Sequence, residues 1–182
     1  EAQWAAEEAD VAIMCLGLDS TLEGEQGDTG NEYSSGDKRT LELPDGQKKL
    51  LARVVATGKP VIVVLACGSA LRVEDGNAIP WAGYPGQAGG DALADILFGK
   101  VSPSGKLPIT FYRSLDDLPA FTDYSMKGRT YRYYEGEALY PFGYGLTYGK
   151  VVCEDAELDG DRIKAKLRNE SDRDVEEVVQ VY

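Results

Sequence analysis

Residues 11–18 have the sequence VAIMCLGL, and residues 61–66 have the sequence VIVVLA directly after Pro60. Both runs are short, continuously apolar and rich in branched side chains. Such runs are typical of strands buried on both faces of a parallel sheet, because helices cover that kind of sheet on each side. The two runs therefore predict an α/β fold with buried strands at 11–17 and 60–66.

Amphipathic segments around the two runs predict helices at residues 1–9, 45–57 and 87–98. Residues 78–81 predict a third short strand, and residues 107–112 predict a strand at an edge of the sheet, in an antiparallel direction. The expected fold is thus a mostly parallel sheet flanked by helices, an incomplete α/β sandwich domain.

The composition changes after residue 112. Residues 113–149 are rich in Tyr, Pro and Gly and predict a linker segment. Apolar and charged residues alternate over 162–168, which predicts a half-buried antiparallel strand, and 175–182 predict a second strand. We expect domains at 1–112 and 150–182, the latter the start of a truncated β-sandwich. Because the chain opens in a helix-like segment and stops in a strand-like one, we expect it to be a piece of a longer protein.

Composition excludes several classes of function. The 182 residues have a net charge of −12, which argues against nucleic acid or an anionic membrane as a partner. The chain contains no histidine, so it cannot hold a Ser-His-Asp triad or a histidine-ligated metal. The three cysteines are far apart, so we expect no disulfide framework, buried thiols at Cys15 and Cys67, and a reducing, cytoplasmic compartment.

Three groups of residues could serve a site, and each also has a purely structural explanation. The loop after the first strand contains six acidic residues, which could supply a general acid or be a solvated surface. PGQAGG at 85–90 could hold a phosphate or form a tight turn. The aromatic side chains of the linker could stack on sugar rings or pin that segment down. The acidic and aromatic residues are Asp19, Glu23, Glu25, Asp28, Glu32 and Asp37, and Tyr131, Tyr133, Tyr134, Tyr140, Phe142, Tyr144 and Tyr148.

Taken together, these motifs resemble glycoside hydrolase family 3, the β-glucosidases and β-xylosidases. The resemblance covers nearly the whole chain, and its most specific parts are the run from 84 to 111 and PFGYGLTYG at 141–149. The matching stretches are GLDSTLEGE (17–25), GDKRTLELPDGQ (36–47), GKPVIVVLACGSA (58–70), YPGQAGGDALADILFGKVSPSGKLPITF (84–111), DLPAFTDYSMKGRTYRYYEGEALYPFGYGLTYG (117–149) and VEEVVQVY (175–182).

The resemblance implies a multidomain enzyme. A (β/α)8 barrel with the aspartate nucleophile would precede this chain, and residues 150–182 would begin a fibronectin type III-like domain. Within GLDSTLEGE the family's acid/base position matches Glu25, with Glu23 as the alternative. An Asp-Arg pair that follows in many members is displaced here to Asp37 and Arg39. Gly83 stands where many relatives have Trp.

The expected function is therefore part of a retaining exo-β-glycosidase acting on β-glucosides or β-xylosides, with no cofactor and no metal. This chain would supply the general acid/base, and the missing barrel would be its partner within the same protein. Without that barrel the chain should be inactive. The alternative is a non-catalytic carbohydrate-binding or structural module; a flavodoxin-like nucleotide binder using residues 85–90 is a third hypothesis.

Overall fold

A computed structural model describes residues 1–25 and 38–181. Within these ranges the chain forms four α-helices, one 3₁₀-helix and four strands. They are α1 (Ala2–Glu8), β1 (Ala12–Gly17), α2 (Asp45–Val55), β2 (Val61–Ala66), α3 (Gly89–Leu97), the 3₁₀-helix Leu115–Asp117, α4 (Thr130–Tyr133), β3 (Val151–Asp159) and β4 (Arg162–Asn169).

The two apolar runs pair as parallel strands, as predicted. Ala12 lies opposite Val61, and the register continues without a shift to Gly17 opposite Ala66. The predicted third strand at 78–81 extends the pairing through two short parallel bridges to β2, and the N–H of Val63 donates to the carbonyl of Ala78 at 2.9 Å. The fold class is therefore confirmed.

β2 is the centre of the core, because β1 lies on one side of it and residues 78–81 on the other. Four of its six side chains are buried. β1 differs from the prediction. Its side chains alternate, with Met14 and Leu16 buried but Ile13 52% exposed. As the edge strand of this pairing, β1 has only one face covered, by α2, among the described residues.

The strand predicted at 107–112 does not join the parallel sheet, so this prediction is wrong. Its backbone instead pairs antiparallel with residues 139–144, where Phe111 exchanges hydrogen bonds of 2.8 Å with Leu139 and Tyr140. The ring of Phe111 packs edge-on against Tyr140 at 6.2 Å and against Trp81 at 6.0 Å. Burial of this aromatic ring fixes the pairing and docks the segment on the end of the sheet.

The C-terminal strands also differ from the prediction. Residues 162–168 are a strand, but its partner is β3 at 151–159, and residues 175–181 form no strand. Gly160, with φ of +63°, turns β3 back into β4, so the partner lies next in sequence. Every side chain of β4 is exposed, not half-buried. Cross-strand ion pairs such as Arg168–Glu154 at 2.7 Å support the hairpin. The domain limits at 112 and 149 stay a prediction.

Over residues 1–25 and 38–181, no helix is long and apolar enough to cross a bilayer, and no group of acidic or cysteine side chains could hold a metal ion. All three cysteines are free thiols. Cys67 is buried as predicted, but Cys15 is exposed because it points to the uncovered face of β1.

The thiols provide a direct check of this packing. A thiol reagent should modify Cys15 and Cys153 rapidly in the native protein and Cys67 only after unfolding, because a reagent reacts with an accessible thiolate. Burial also raises the pKa of Cys67, which lowers its thiolate fraction further. Mass spectrometry of timed samples measures the three rates, and rapid modification of Cys67 in folded protein would contradict the structure.

Gly17 ends β1 at a point where no side chain fits. A Cβ there would lie 1.9 Å from the carbonyl oxygen of Ala66, and the backbone φ is +151°. Gly17→Ala should therefore reduce the free energy of unfolding by about 1–3 kcal/mol, the usual range for overpacking a core. Gly46→Ala is the matched control: Gly46 lies in α2 with nothing near its Cβ position, so it should gain about 0.5–1 kcal/mol. Urea unfolding followed by tryptophan fluorescence measures both changes.

Candidate active site

The candidate site lies at the carboxyl ends of β1 and β2, where parallel sheets place their ligands. Gln47 of α2 brackets the end of β1: its side chain accepts from the N–H of Gly17 at 2.9 Å and donates to the carbonyl of Gly17 at 2.8 Å. The N–H of Leu18 then donates to Ala66 at 2.9 Å. These bonds fix where the chain leaves the sheet.

Asp19 turns the chain back toward β2. Its Oδ1 accepts from the backbone N–H of Thr21 at 2.9 Å and from the Thr21 hydroxyl at 2.6 Å. Its carbonyl accepts from the N–H groups of Leu22 and Glu23 at 3.0 and 2.8 Å. This turn brings Glu23 to the residues that follow β2.

Glu23 accepts four hydrogen bonds from groups that lie far away in the sequence. The backbone N–H groups of Gly68 and Ser69 donate at 2.8 Å each, and the hydroxyls of Ser69 and Tyr84 complete the set. All four are donors, so they match an ionised carboxylate, which only accepts. We call this arrangement the Glu23 anchor.

The anchor changes the acidity of its members. Partial burial raises the pKa of Glu23, but the hydrogen bonds from Ser69, Tyr84 and Gly68 together outweigh it and hold the pKa of this carboxyl below its ordinary value. Desolvation and the Glu23 carboxylate raise the pKa of Tyr84 to about 12. Glu23 is therefore ionised, and Tyr84 keeps its proton, over the whole physiological range.

Lys38, which follows residues 26–37 in the sequence, contacts the same turn. Its Nζ donates to the carbonyl of Ala70, two residues after Gly68. Burial lowers the pKa of Lys38, while the negative charge of Glu23 opposes that change. A little further along, the N–H of Arg72 donates to the carbonyl of Leu41 at 2.6 Å. The chain before residue 26 and the chain after residue 37 are thus both attached to residues 68–72.

The partly buried side chain of Trp81 supports the turn at 68–70 through the residue that precedes it, Cys67. The indole N–H of Trp81 donates to the Cys67 sulfur at 3.3 Å, and the Trp81 ring packs edge-on against Phe111. Beside the turn lies an open cavity of about 490 Å³, bounded by Glu23 and Tyr84 together with Leu18, Asp19, Ser20 and Ala66. Its volume lies within the range of small-molecule sites.

Of the acidic residues predicted for the site, Glu23 contacts the residues after β2. Glu25 is exposed two residues further on. Asp28, Glu32 and Asp37 lie outside the described residues. Sequence reasoning missed Gln47, Ser69 and Tyr84, because no local pattern marks a donor that acts on a residue tens of positions away.

The turn at 85–90 and the aromatic side chains of the linker have mainly structural roles. At 85–90 the N–H of Gly89 donates to Gly86 at 2.9 Å, and a Cβ at Gly89 would lie 2.3 Å from Pro85, which supports the tight turn. Most rings of the aromatic run pack on one another: Tyr140 stacks on Tyr144 at 5.1 Å, and Tyr112 meets Tyr134 edge-on at 4.9 Å.

Comparison with known proteins assigns this chain to one family. The model of the glycosyl hydrolase family 3 C-terminal domain matches residues 1–148. The chain belongs to glycosyl hydrolase family 3. It is 41% identical to a xylan 1,4-β-xylosidase of Xylanibacter ruminicola over 93% of this chain and 21% of that protein. It is 31% identical to a periplasmic β-glucosidase of Salmonella typhimurium over 100% of this chain and 26% of that protein.

Solved structures of the family have the same fold as this chain. A β-glucosidase from Kluyveromyces marxianus superposes with a TM-score of 0.78 at 28% identity, over 94% of this chain and 22% of that one. The family 3 chain described here thus spans about a fifth to a quarter of the length of the relatives it matches.

The Glu23 anchor predicts a pH-dependent contribution to stability. Because the folded pKa of Glu23 lies below the ordinary value of 4.5, its contribution is fully present above about pH 4.5 and is lost as the pH falls through the folded pKa. Glu23→Gln should therefore unfold at lower urea concentration than the wild type at pH 7, and the gap should close in acid.

Glu135→Gln is the matched control, since Glu135 is exposed and outside the anchor. It should change the urea midpoint at pH 7 only slightly. A stability gap for Glu23→Gln that stays constant from pH 7 to pH 3 would mean that the carboxylate charge is not what the four donors stabilise.

Proposed function

We propose that the complete protein is a retaining exo-β-glycosidase that removes terminal β-linked glucose or xylose, and that this chain supplies its general acid/base, Glu25. Membership of family 3 and similarity to named β-xylosidases and β-glucosidases support the reaction class. The loop lies at the carboxyl ends of β1 and β2, where α/β sheets bind their ligands, and this position supports a catalytic role for the loop.

One observation favours Glu25 over Glu23. A general acid must hold a proton at the working pH, which for a glutamate requires a pKa raised by burial or by a neighbouring anion. Glu23 has the opposite environment: four donors stabilise its ionised form and lower its pKa. Glu23 is therefore suited to hold the loop, and Glu25 is left as the glutamate that can exchange a proton with substrate.

The two carboxylates would then have different roles: Glu23 positions the loop and Glu25 transfers the proton. Glu23 keeps its charge and fixes the backbone, and Glu25 follows it by two residues on the exposed side.

The proposed reaction has two steps. In the first, the barrel aspartate attacks the anomeric carbon, the glycosidic C–O bond breaks, and Glu25 gives its proton to the leaving oxygen. In the second, the Glu25 carboxylate takes a proton from water, whose oxygen attacks the anomeric carbon and releases the aspartate. Because the nucleophile belongs to the barrel, this chain alone would not turn over substrate.

Substitution of the acid/base in the complete enzyme tests this proposal. Glu25→Gln should lower kcat/KM for substrates with poor leaving groups by about 10²–10⁴-fold, the usual contribution of general acid catalysis. Aryl glycosides with activated leaving groups need little protonation, so their first step should be spared. Azide should then accelerate the second step and yield a glycosyl azide, because it attacks without a general base.

Glu23→Gln is the matched comparison in the same loop. It should leave the dependence on the leaving group unchanged and show no azide effect, since Glu25 still transfers the proton. If Glu23→Gln is the azide-rescued variant, the acid/base assignment moves two residues. If neither variant alters the leaving-group dependence, this chain does not supply the acid/base.

A further inference from the structure

The cavity beside Glu23 has one aromatic wall, and that wall is fixed in place. We call it the Tyr84 cavity, and it is lined by Leu18, Asp19, Ser20, Glu23, Ala66 and Tyr84. The Tyr84 hydroxyl donates to Oε2 of Glu23, and the ring edge lies against Gly68, where a Cβ would be only 3.1 Å from Cε2 of the ring. Tyr84 is still 57% exposed. A ring that is held at two points and stays exposed can bind a flat apolar face at low entropic cost.

Asp19 supplies an accessible acceptor at the same cavity. Among the described residues, the hydrogen bonds to its side chain come from the N–H and the hydroxyl of Thr21, and both are made to Oδ1. These bonds lower the pKa of Asp19, so its carboxylate is ionised at neutral pH. Asp19 is exposed, which leaves Oδ2 able to accept from a hydroxyl group of a ligand.

The charge of the cavity restricts its ligand further. Asp19 and Glu23 are both negative, and the six described residues that line the cavity include no lysine or arginine. Lys38 interacts with the charge of Glu23 but does not line the cavity. Because like charges repel, a ligand that carries a negative charge is disfavoured here relative to a neutral one of the same shape.

The proposed reaction indicates which part of a substrate reaches this cavity. The barrel aspartate bonds the anomeric carbon, so the sugar that stays on the enzyme belongs to the barrel side. Glu25 protonates the leaving oxygen and must come within about 3 Å of it. Two residues span at most about 7 Å, so the Cα of Glu25 lies close to that of Glu23 at the cavity wall. The leaving group is therefore the part of the substrate that meets this chain.

We propose that Asp19 and Tyr84 determine specificity for the leaving group, and that the Tyr84 cavity selects an uncharged sugar over an anionic one. The C–H face of a pyranose packs on the ring of Tyr84, and one of its hydroxyls donates to Oδ2 of Asp19. This assignment rests on the proposed function, because Glu25 is the group that places the leaving oxygen beside the cavity.

Reactivation of a trapped enzyme isolates this cavity from the rest of the reaction. The complete enzyme is first treated with a 2-deoxy-2-fluoro glycoside, which leaves a glycosyl group on the nucleophile. An acceptor sugar then restores activity: its hydroxyl oxygen attacks the anomeric carbon, Glu25 takes the proton, and the aspartate is released. The acceptors are methyl β-D-glucoside and methyl β-D-glucuronide, which differ in charge. The acceptor concentration that gives half the maximal rate of reactivation is measured for each.

The charge of Asp19 should set the preference between the two acceptors. The wild type should be half-saturated at a lower concentration of the glucoside than of the glucuronide. Asp19→Asn keeps a side-chain oxygen for the turn at Thr21 and removes the charge, so it should reduce this preference about fivefold, the effect of one charge on another about 4 Å away in water. Asp10→Asn is the matched control, because Asp10 is exposed at the opposite end of β1, and it should leave the preference unchanged.

Two variants separate the ring of Tyr84 from its hydroxyl. Tyr84→Phe and Tyr84→Leu both lose the bond to Glu23, so any general effect on the loop is common to them. Only Tyr84→Phe keeps an aromatic ring. Tyr84→Leu should therefore need about two- to tenfold more methyl β-D-glucoside than Tyr84→Phe for half-maximal reactivation, the usual contribution of an aromatic contact.

The outcomes distinguish this assignment from the proposed function. Equal values for Tyr84→Leu and Tyr84→Phe, an unchanged preference in Asp19→Asn, or a trapped enzyme that neither acceptor reactivates would overturn the assignment alone. An enzyme that cannot be trapped because it has no glycosidase activity would overturn the proposed function, and the assignment with it.

Discussion

The close approach of Gly17 to Ala66 is the constraint on which the rest of the structure depends. The two strand ends pack so tightly that a Cβ at Gly17 has no space, and Gln47 bonds both the N–H and the carbonyl of that glycine. The chain therefore leaves β1 at a single defined point and direction. The turn at Asp19 and the Glu23 anchor follow from this exit, because only a loop that starts there meets the N–H groups after β2.

The loop shows how two glutamates with a single residue between them acquire different surroundings. Glu23 meets two backbone N–H groups and two hydroxyls, so its charge is stabilised and its backbone is held. Glu25, two residues further on, is exposed. An anchored carboxylate beside an exposed one is the arrangement on which the proposed division between positioning and proton transfer rests.

The aromatic segment after residue 112 is stabilised by ring contacts rather than by regular secondary structure. Phe111 packs between Trp81 and Tyr140, and Trp81 also bonds Cys67 beneath the candidate site. One contiguous set of packed rings, with Phe111 buried at its centre, thus connects the support of the site to the pairing of residues 107–111 with 139–144. Packing of these large side chains adds to the few backbone hydrogen bonds between residues 107–111 and 139–144.

The sequence by itself determined the parallel pairing of β1 and β2, the helices, the family and the acidic loop, because continuous apolar runs and helical periodicity are local signals. Tertiary structure decided what depends on neighbours distant in the chain. The exposure of Cys15 follows from the uncovered face of β1, and the pairing of 107–111 with 139–144 follows from the burial of Phe111. The separation of Glu23 from Glu25 needed donors from residues 68–84, which no pattern within the loop could reveal.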